Sequence, residues 1–255
     1  MTAADWGLLM VAAFSAGWVD AVVGGGGLIL LPALLVVAPG LSAPAALATS
    51  KMTAVFGTSA AVVTFARKIR IDWRIIGPAG VAAAIAAACG AAAVSLIDRD
   101  LFIPIIMVVL VGVAILVTTR PTIGTVAAHS PPSRRKFALV VFLAAGGFGF
   151  YDGILGPGTG TFFIIAFATF LGTEFVRSAA MAKVLNLGSN VGALAFFAAT
   201  GHVIWHLGAV LAVCNVIGAL LGSRTALSRG SGFVRIVLLV VVIGMVVRLG
   251  WQQFG

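Results

Sequence analysis

Residues 17–31 read GWVDAVVGGGGLILL, and residues 149–163 read GFYDGILGPGTGTFF. The two stretches are related by an offset of 132 positions, which sets Gly17 on Gly149, Asp20 on Asp152, Gly24 on Gly156 and Gly26 on Gly158. Without a gap, the same offset sets Gly40 on Gly172, Lys51 on Lys183, Trp73 on Trp205, Gly90 on Gly222 and Gly112 on Gly244. Ala and Val coincide often by chance in this composition, but Asp, Lys and Trp are scarce. Their agreement marks two copies of one unit.

The unit is built for a bilayer. Of the 255 residues, 61% are hydrophobic and 9% charged, with a mean hydropathy of +1.18. A soluble domain carries roughly a quarter charged residues, and several runs here reach the length of about 18 apolar residues that crosses the hydrocarbon core. A soluble enzyme, a disordered chain and a disulfide-stapled secreted domain are excluded. The net charge of +9 sits in short connections between apolar runs, as the positive-inside rule expects. It does not form a solvated basic face, so nucleic acid is not an expected partner. Cys89 and Cys214 lie among Ala and Val with no metal or redox spacing and read as packing residues. No Lys or Arg precedes the first apolar stretch, and that stretch recurs later, so it reads as part of the fold rather than as a leader.

Each copy divides into five apolar segments, at 6–23, 28–38, 44–66, 75–97 and 101–119, then at 138–155, 160–171, 175–200, 207–222 and 234–251. The expected organisation is a first transmembrane repeat over 1–119, a basic cytoplasmic linker over 120–136 and a second repeat over 137–255. With that linker inside, 12 of the 16 basic residues fall inside, two (Arg99 and Arg248) fall outside, and Lys51 and Lys183 lie within segments. The loop Arg67–Arg74 is then inside, whereas its repeat mate, Gly201–His206, is neutral and outside. The copies are therefore inverted, as an odd number of segments requires, and both termini lie outside. The alternative is that 6–38 forms one bent crossing, with the N-terminus inside. The expected fold class is an all-α polytopic membrane protein of two inverted repeats, each with three or four full spans and a glycine-hinged hairpin bearing a half-helix.

The second segment of each copy covers only about 17 Å, half the core. It should fold back from the segment before it, turning deep in the membrane, where irregular backbone survives only inside protein or against a wet cavity. The first turn is Gly24, Gly25, Gly26 and Gly27; the second runs Gly156, Pro157, Gly158, Thr159, Gly160, Thr161. Glycines here serve close helix packing or, with the unpaired N–H groups of a helix start, bind an anion. The pairing of each turn with a half-helix favours a site. Lys51 and Lys183 stand about two turns into their segments, where an ammonium either snorkels to the headgroups or serves function. The repeat would bring both lysines to one central cavity, so the functional reading is preferred. Asp20 and Asp152, one turn before the glycines, would pair with a lysine or carry a proton. Ser50, Asn186 and Asn190, with Thr49, Thr53, Thr58, Ser59 and Ser189, would either bond a ligand or bond across helices. His202 and His206 have i,i+4 spacing but no third ligand nearby, so no metal, cofactor or catalytic residue is expected. Trp73, Trp205 and Trp251 read as interface anchors.

The glycine turn, the Lys-bearing segment after it, the Trp opening the fourth segment and the second copy's GPGTG together resemble the TauE/SafE family. Those bacterial membrane proteins are described as sulfite or organosulfonate exporters, and the resemblance spans about residues 7–250. It implies transport of small, often sulfur-containing anions across the cytoplasmic membrane. The chain departs from the family pattern at Ser50, where Asn is usual, and in its all-glycine first turn, so substrate identity does not carry over. The resulting expectation is a secondary transporter for a small anion, using alternating access, with Lys51 and Lys183 supplying charge and a proton or sodium ion as coupling candidates. An anion channel is the second reading. An intramembrane aspartyl protease, suggested by Tyr151-Asp152, is a remote third.

Overall fold

The computed structural model describes residues 2–38, 40–93 and 132–254, all of its regular elements being helices: α1 (Ala3–Val23), α2 (Gly27–Val37), α3 (Ala43–Ala66), α4 (Trp73–Ala93), α5 (Arg134–Ile154), α6 (Thr159–Phe170), α7 (Phe175–Ala199) and α8 (Trp205–Phe254). The expected segment 101–119, Arg99 and most of the linker lie outside the described residues. Among those described, six helices are long and apolar enough to cross a bilayer, while α2 and α6 are too short. The chain is an all-α, multi-pass membrane protein.

Side-chain caps set where several helices begin. The Thr2 amide donates to Asp5 Oδ2 at 2.6 Å and the Thr2 hydroxyl accepts from the Asp5 amide at 3.3 Å, closing a capping box at α1. Ser42 and Ser133 cap α3 and α5 in the same sense. Inside α8, Gly230 adopts φ 73°, ψ −172°, which breaks the helix. Gly222, before the break, packs on the Trp18 backbone, and the Phe233 ring, after it, lies edge-on to Trp18 at 6.3 Å. Just past the break the Ser231 hydroxyl accepts from the Val176 amide at 3.3 Å and Val234 is buried, so the chain changes direction at Gly230 and stays packed on the bundle. The two segments expected at 207–222 and 234–251 are the arms of that turn.

The bundle is inverted. At one end Lys68, Ile69 and Arg70, following α3, share a cleft with Pro132, before α5, and with Leu171–Arg177, between α6 and α7. At the other end Leu9 of α1, Leu34 of α2, Ala46 of α3 and Leu207 and Leu211 of α8 form one apolar cluster. Helices α1 and α3 thus start where their repeat mates α5 and α7 do not. Leu34 packing beside Leu9 shows that α2 returns along α1, so 6–38 is a hairpin and not a bent crossing. Arg67, Lys68, Arg70, Arg134–Lys136, Arg177 and Arg224 gather at the first end, the one that the positive-inside rule expects to face the cytoplasm.

The repeats interlock, with α1 packed on α8, α5 on α4, α4 on α7, and α3 on both α7 and α8. The contacts repeat with the offset. Gly17 meets the Asn215 backbone as Gly149 meets Ala83, and Gly90 meets Phe150 as Gly222 meets Trp18. At each place a side chain would strike a neighbouring carbonyl, so small residues set how closely these helices approach.

Candidate functional site

Both glycine turns arrive at the centre of the bundle and touch. Gly24 packs against Gly160, Gly27 faces Pro157, and the Thr161 hydroxyl donates to the Val23 carbonyl at 2.7 Å. Gly24, Gly156 and Gly158 adopt φ of 80°, 85° and 84°, which glycine reaches without strain. The second turn is braced from within: Thr159 Oγ1 donates to the Gly156 carbonyl at 2.9 Å, and the Tyr151 hydroxyl donates to the Pro157 carbonyl at 3.0 Å.

Two ion pairs flank the turns, and each crosses between repeats. Lys51 Nζ lies 2.8 Å from Asp152 Oδ1, and Lys183 Nζ lies 2.9 Å from Asp20 Oδ2. These are repeat mates, since both lysines and both aspartates are separated by the offset of 132. Neither lysine snorkels. The Lys183 side chain has 0% exposure and that of Lys51 7%, so each ammonium leaves water only because a carboxylate meets it. The aspartates face lysines rather than each other. Thr58 Oγ1 adds a 3.3 Å hydrogen bond to Asp20 Oδ2, whereas Asp152 Oδ2 is buried with no partner.

Sequence symmetry ends at the cavity. A cavity of about 30 Å³ lies on the side of the centre nearer the start of α3. It is lined from the hairpins by Asp20, Gly24, Gly27, Leu31, Asp152, Leu155, Gly156 and Pro157, and from α3 and α7 by Leu47, Ser50, Lys51, Ala54, Asn186 and Asn190. Three of its polar residues have apolar or dissimilar mates: Ser50 corresponds to Ala182, Asn186 to Ala54 and Asn190 to Thr58. The mates of Leu31, Leu47 and Ser50, which are Phe163, Ala179 and Ala182, are wholly buried, and Lys183 is not part of the cavity wall.

Of the residues singled out in the sequence, the structure brings Lys51, Ser50, Asn186, Asn190, Asp20, Asp152, Gly24, Gly27 and Gly156 to this cavity. Lys183 is not among its walls, nor are Gly25, Gly158, Thr159 and Gly160; the last packs against Gly24. Gly26 lines a smaller adjoining space of about 20 Å³ with Asp20, Ser50 and Asn215. Thr49, Thr53, Ser59 and Ser189 donate to carbonyls of their own helices rather than across helices. Among the described residues no three His, Cys, Asp or Glu side chains group to hold a metal ion.

The open hydrogen-bonding capacity is concentrated. Lys51 has three N–H donors and a single carboxylate partner. The Ser50 hydroxyl and the Asn186 amide, at 8% and 4% exposure, have no hydrogen-bond partner among the described residues. Asn190 uses its Nδ2 on the Asn186 carbonyl, 2.8 Å away. A side chain at Gly156 would fall 2.8 Å from Lys51 Nζ, so glycine there is what lets the ammonium lie against the turn. At the start of α2 the Leu28 and Ile29 amides already donate to the Gly25 and Gly26 carbonyls at 3.2 and 3.0 Å, which leaves the partial positive charge of the helix start at the Gly27 amide. These donors share the cavity wall with the carboxylates of Asp20 and Asp152.

Sequence reasoning missed Asn215, a buried amide in an apolar run whose mate is Ala83. Its Nδ2 donates to the Ala13 carbonyl at 2.9 Å, and its backbone fills the notch at Gly17. A lone Asn among Val, Cys and Ile was the available signal.

Comparison with known proteins gives a consistent assignment. The profile of the family described as "Sulfite exporter TauE/SafE" matches residues 9–249. A Sinorhizobium protein named "Probable membrane transporter protein ORF9" is 34% identical over 241 residues, covering 94% of this chain and 90% of the relative. The Escherichia coli K12 protein named "Probable membrane transporter protein YfcA" is 34% identical, covering 98% and 91%. A Haemophilus influenzae protein with a similar name is 30% identical, covering 97% and 96%. No solved structure matches the chain.

Proposed function

The chain belongs to the sulfite exporter TauE/SafE family and is a membrane transporter, and on that premise we propose that it exports a small anion, a sulfur oxyanion or organosulfonate, across a bacterial cytoplasmic membrane by alternating access. The observation that carries this reading is the unused donor set at Lys51, Ser50 and Asn186, buried beside the start of α2 and open to one small cavity. In this scheme Lys51 supplies the charge, Ser50 and Asn186 donate to the anion's oxygens, and Asn190 holds the Asn186 turn. Lys183 and Asp20 form the fixed counterpart that keeps the centre neutral.

A cavity of about 30 Å³ has room for one or two water molecules, so an oxyanion enters only when the hairpins and the α3–α7 pair separate. Inverted repeats supply the motion. Exchanging the conformations of the two copies closes the outer cavity and opens its mate above Lys183 on the cytoplasmic side. Binding an anion at Lys51 places an additional negative charge beside Asp152, whose Oδ2 is buried and unpartnered. Uptake of one cation there, a proton or a sodium ion, restores neutrality.

The test is anion-dependent stabilisation of the detergent-purified protein, since a ligand that binds only the folded state raises its unfolding temperature. Sulfite, thiosulfate, sulfoacetate, taurine, sulfate, acetate and phosphate form the panel, followed by flux of any hit in proteoliposomes. A shift with a sulfur anion that Lys51→Gln abolishes supports the reading. Unchanged anion flux after Lys51→Gln would remove the site assignment.

A further inference from the structure

We propose that the groove between α3 and α8 at the cytoplasmic end is a binding site for an anionic glycerophospholipid. The groove has a volume of about 920 Å³. Val63, Leu220 and Leu227 run along its walls, Val63 being 49% exposed, and the hydroxyls of Ser59, Thr64 and Ser228 among them are spent on carbonyls of their own helices. Arg67, Lys68 and Arg224 form the rim, all exposed and without an ion-pair partner among the described residues. No carboxylate lines it, although the neighbouring cleft that shares Lys68 contains Glu174.

This division of chemistry along one groove is that of a phospholipid. Val63 stands one turn inside the end of α3 and Arg67 stands at that end, so acyl chains would lie on the apolar wall while a phosphate meets the cations at headgroup level. Basic pockets between membrane helices on the cytoplasmic side suit anionic headgroups, and that leaflet carries the negative surface potential. The duplication sharpens the point. The repeat mates of Arg67, Lys68 and Arg224 are Ala199, Thr200 and Ala92. The cationic rim therefore does not follow from the shared fold and occurs only at the end facing the anionic leaflet. The chain's own linker is a poor occupant, because Arg120–Pro131 contains an arginine and no carboxylate. The inference does not depend on the transport reading.

The test compares phosphatidylglycerol with phosphatidylcholine of identical acyl chains, added to delipidated protein and counted by native mass spectrometry. Wild type is expected to retain phosphatidylglycerol about tenfold in preference, on the usual strength of a few basic residues at a membrane surface. Arg67→Gln/Lys68→Gln/Arg224→Gln should bring the two lipids to parity. Arg134→Gln/Arg135→Gln/Lys136→Gln removes the same charge from the same end and should keep the preference. Val63→Trp, which narrows the apolar part of the groove without touching its charge, should weaken retention of both lipids. Glycerol phosphate and inorganic phosphate should not compete. The proposal is overturned if the groove variant keeps its preference, if the control loses as much, or if free phosphate displaces the lipid. Efficient cross-linking of Val63→Cys to Ala127→Cys would give the groove to the linker, and a doubled mass without lipid would give it to a second copy; either overturns the proposal.

Discussion

Removing one member of the Lys183–Asp20 pair should have consequences that depend on which charge is left behind. At 2.9 Å and an effective dielectric of about 20, the attraction is about 6 kcal/mol. Desolvation takes back much of it, and deleting one partner of a buried pair costs about 3–5 kcal/mol because the survivor is stranded. The survivors differ here. Asp20→Asn strands an ammonium with 0% side-chain exposure, whereas Lys183→Met strands a carboxylate with 15% exposure on the cavity wall. The first should cost about 5 kcal/mol and the second about 3. The double variant Asp20→Asn/Lys183→Met leaves no charge behind and should recover to within about 1–2 kcal/mol of wild type, a coupling well above the 0.5 kcal/mol scatter of independent sites. The assay is denaturant unfolding in mixed micelles followed by tryptophan fluorescence. The reasoning fails if the two single costs simply add in the double variant, or if Lys183→Met proves as costly as Asp20→Asn.

Three further outcomes follow from the same geometry. Ser50→Ala and Asn186→Leu should leave unliganded stability nearly unchanged, because neither side chain has a protein partner. Each should weaken anion-induced thermal stabilisation by roughly 10–100-fold in apparent affinity, the range for losing a hydrogen bond to a charged group; full retention of affinity would place the anion elsewhere. Gly160→Ala sets a Cβ 2.5 Å from Gly24 Cα and should sharply reduce the yield of folded protein, while Gly146→Ala, with nothing within 4 Å, should be neutral in the same expression and size-exclusion test. In a background with Cys89 and Cys214 replaced by Ala, Leu47→Cys should react with an impermeant thiol reagent added outside, at the rate at which the hairpins and the α3–α7 pair separate, and its repeat mate Ala179→Cys, wholly buried, should react far more slowly. Equal labelling of the two would contradict the one-sided cavity.

The duplication, the short second helix and the inverted topology were legible because they rest on rare residues and on charge counting. Asp, Lys and Trp recur at one offset where chance could not put them, and Arg67–Arg74 has a neutral mate. Capping at Thr2 and Asp5 was equally open to view and explains why α1 begins at Ala3, three residues before the apolar stretch expected at 6. Partner choice was not legible. One repeat contains both Asp20 and Lys51, so residue types alone are satisfied equally by pairing within a copy or across copies; only the docking of α1 on α8 and α5 on α4 decides. The inequality of the lysines was hidden for a related reason. Their identities match, and what separates them is a set of neighbours, Ser50, Asn186 and Asn190 around one and Phe163, Ala179 and Ala182 around the other. The split between 207–222 and 234–251 was legible from the charged stretch holding Arg224, Arg229 and Arg235, whereas the residue that makes the break, Gly230, was not, because helical sequence continues on both sides of it.

The crossed ion pairs also bear on ancestry. A half-length chain with Asp20 and Lys51 cannot neutralise its buried charges with the partners used here, because each of those partners belongs to the other half. Two such chains lying head to tail could, each lending its aspartate to the other's lysine. A membrane peptide of that kind must insert in both orientations in equal number, and a basic loop such as Arg67–Arg74 in every copy would bias all copies one way. Fusing the halves lifts that restriction: one half can acquire the loop charge while the other, at Gly201–His206, does without it. Ser50 and Asn186 are free to diverge from Ala182 and Ala54 for the same reason, so a symmetric ancestor with two equivalent lysines can descend to a molecule in which only one of them meets the cavity.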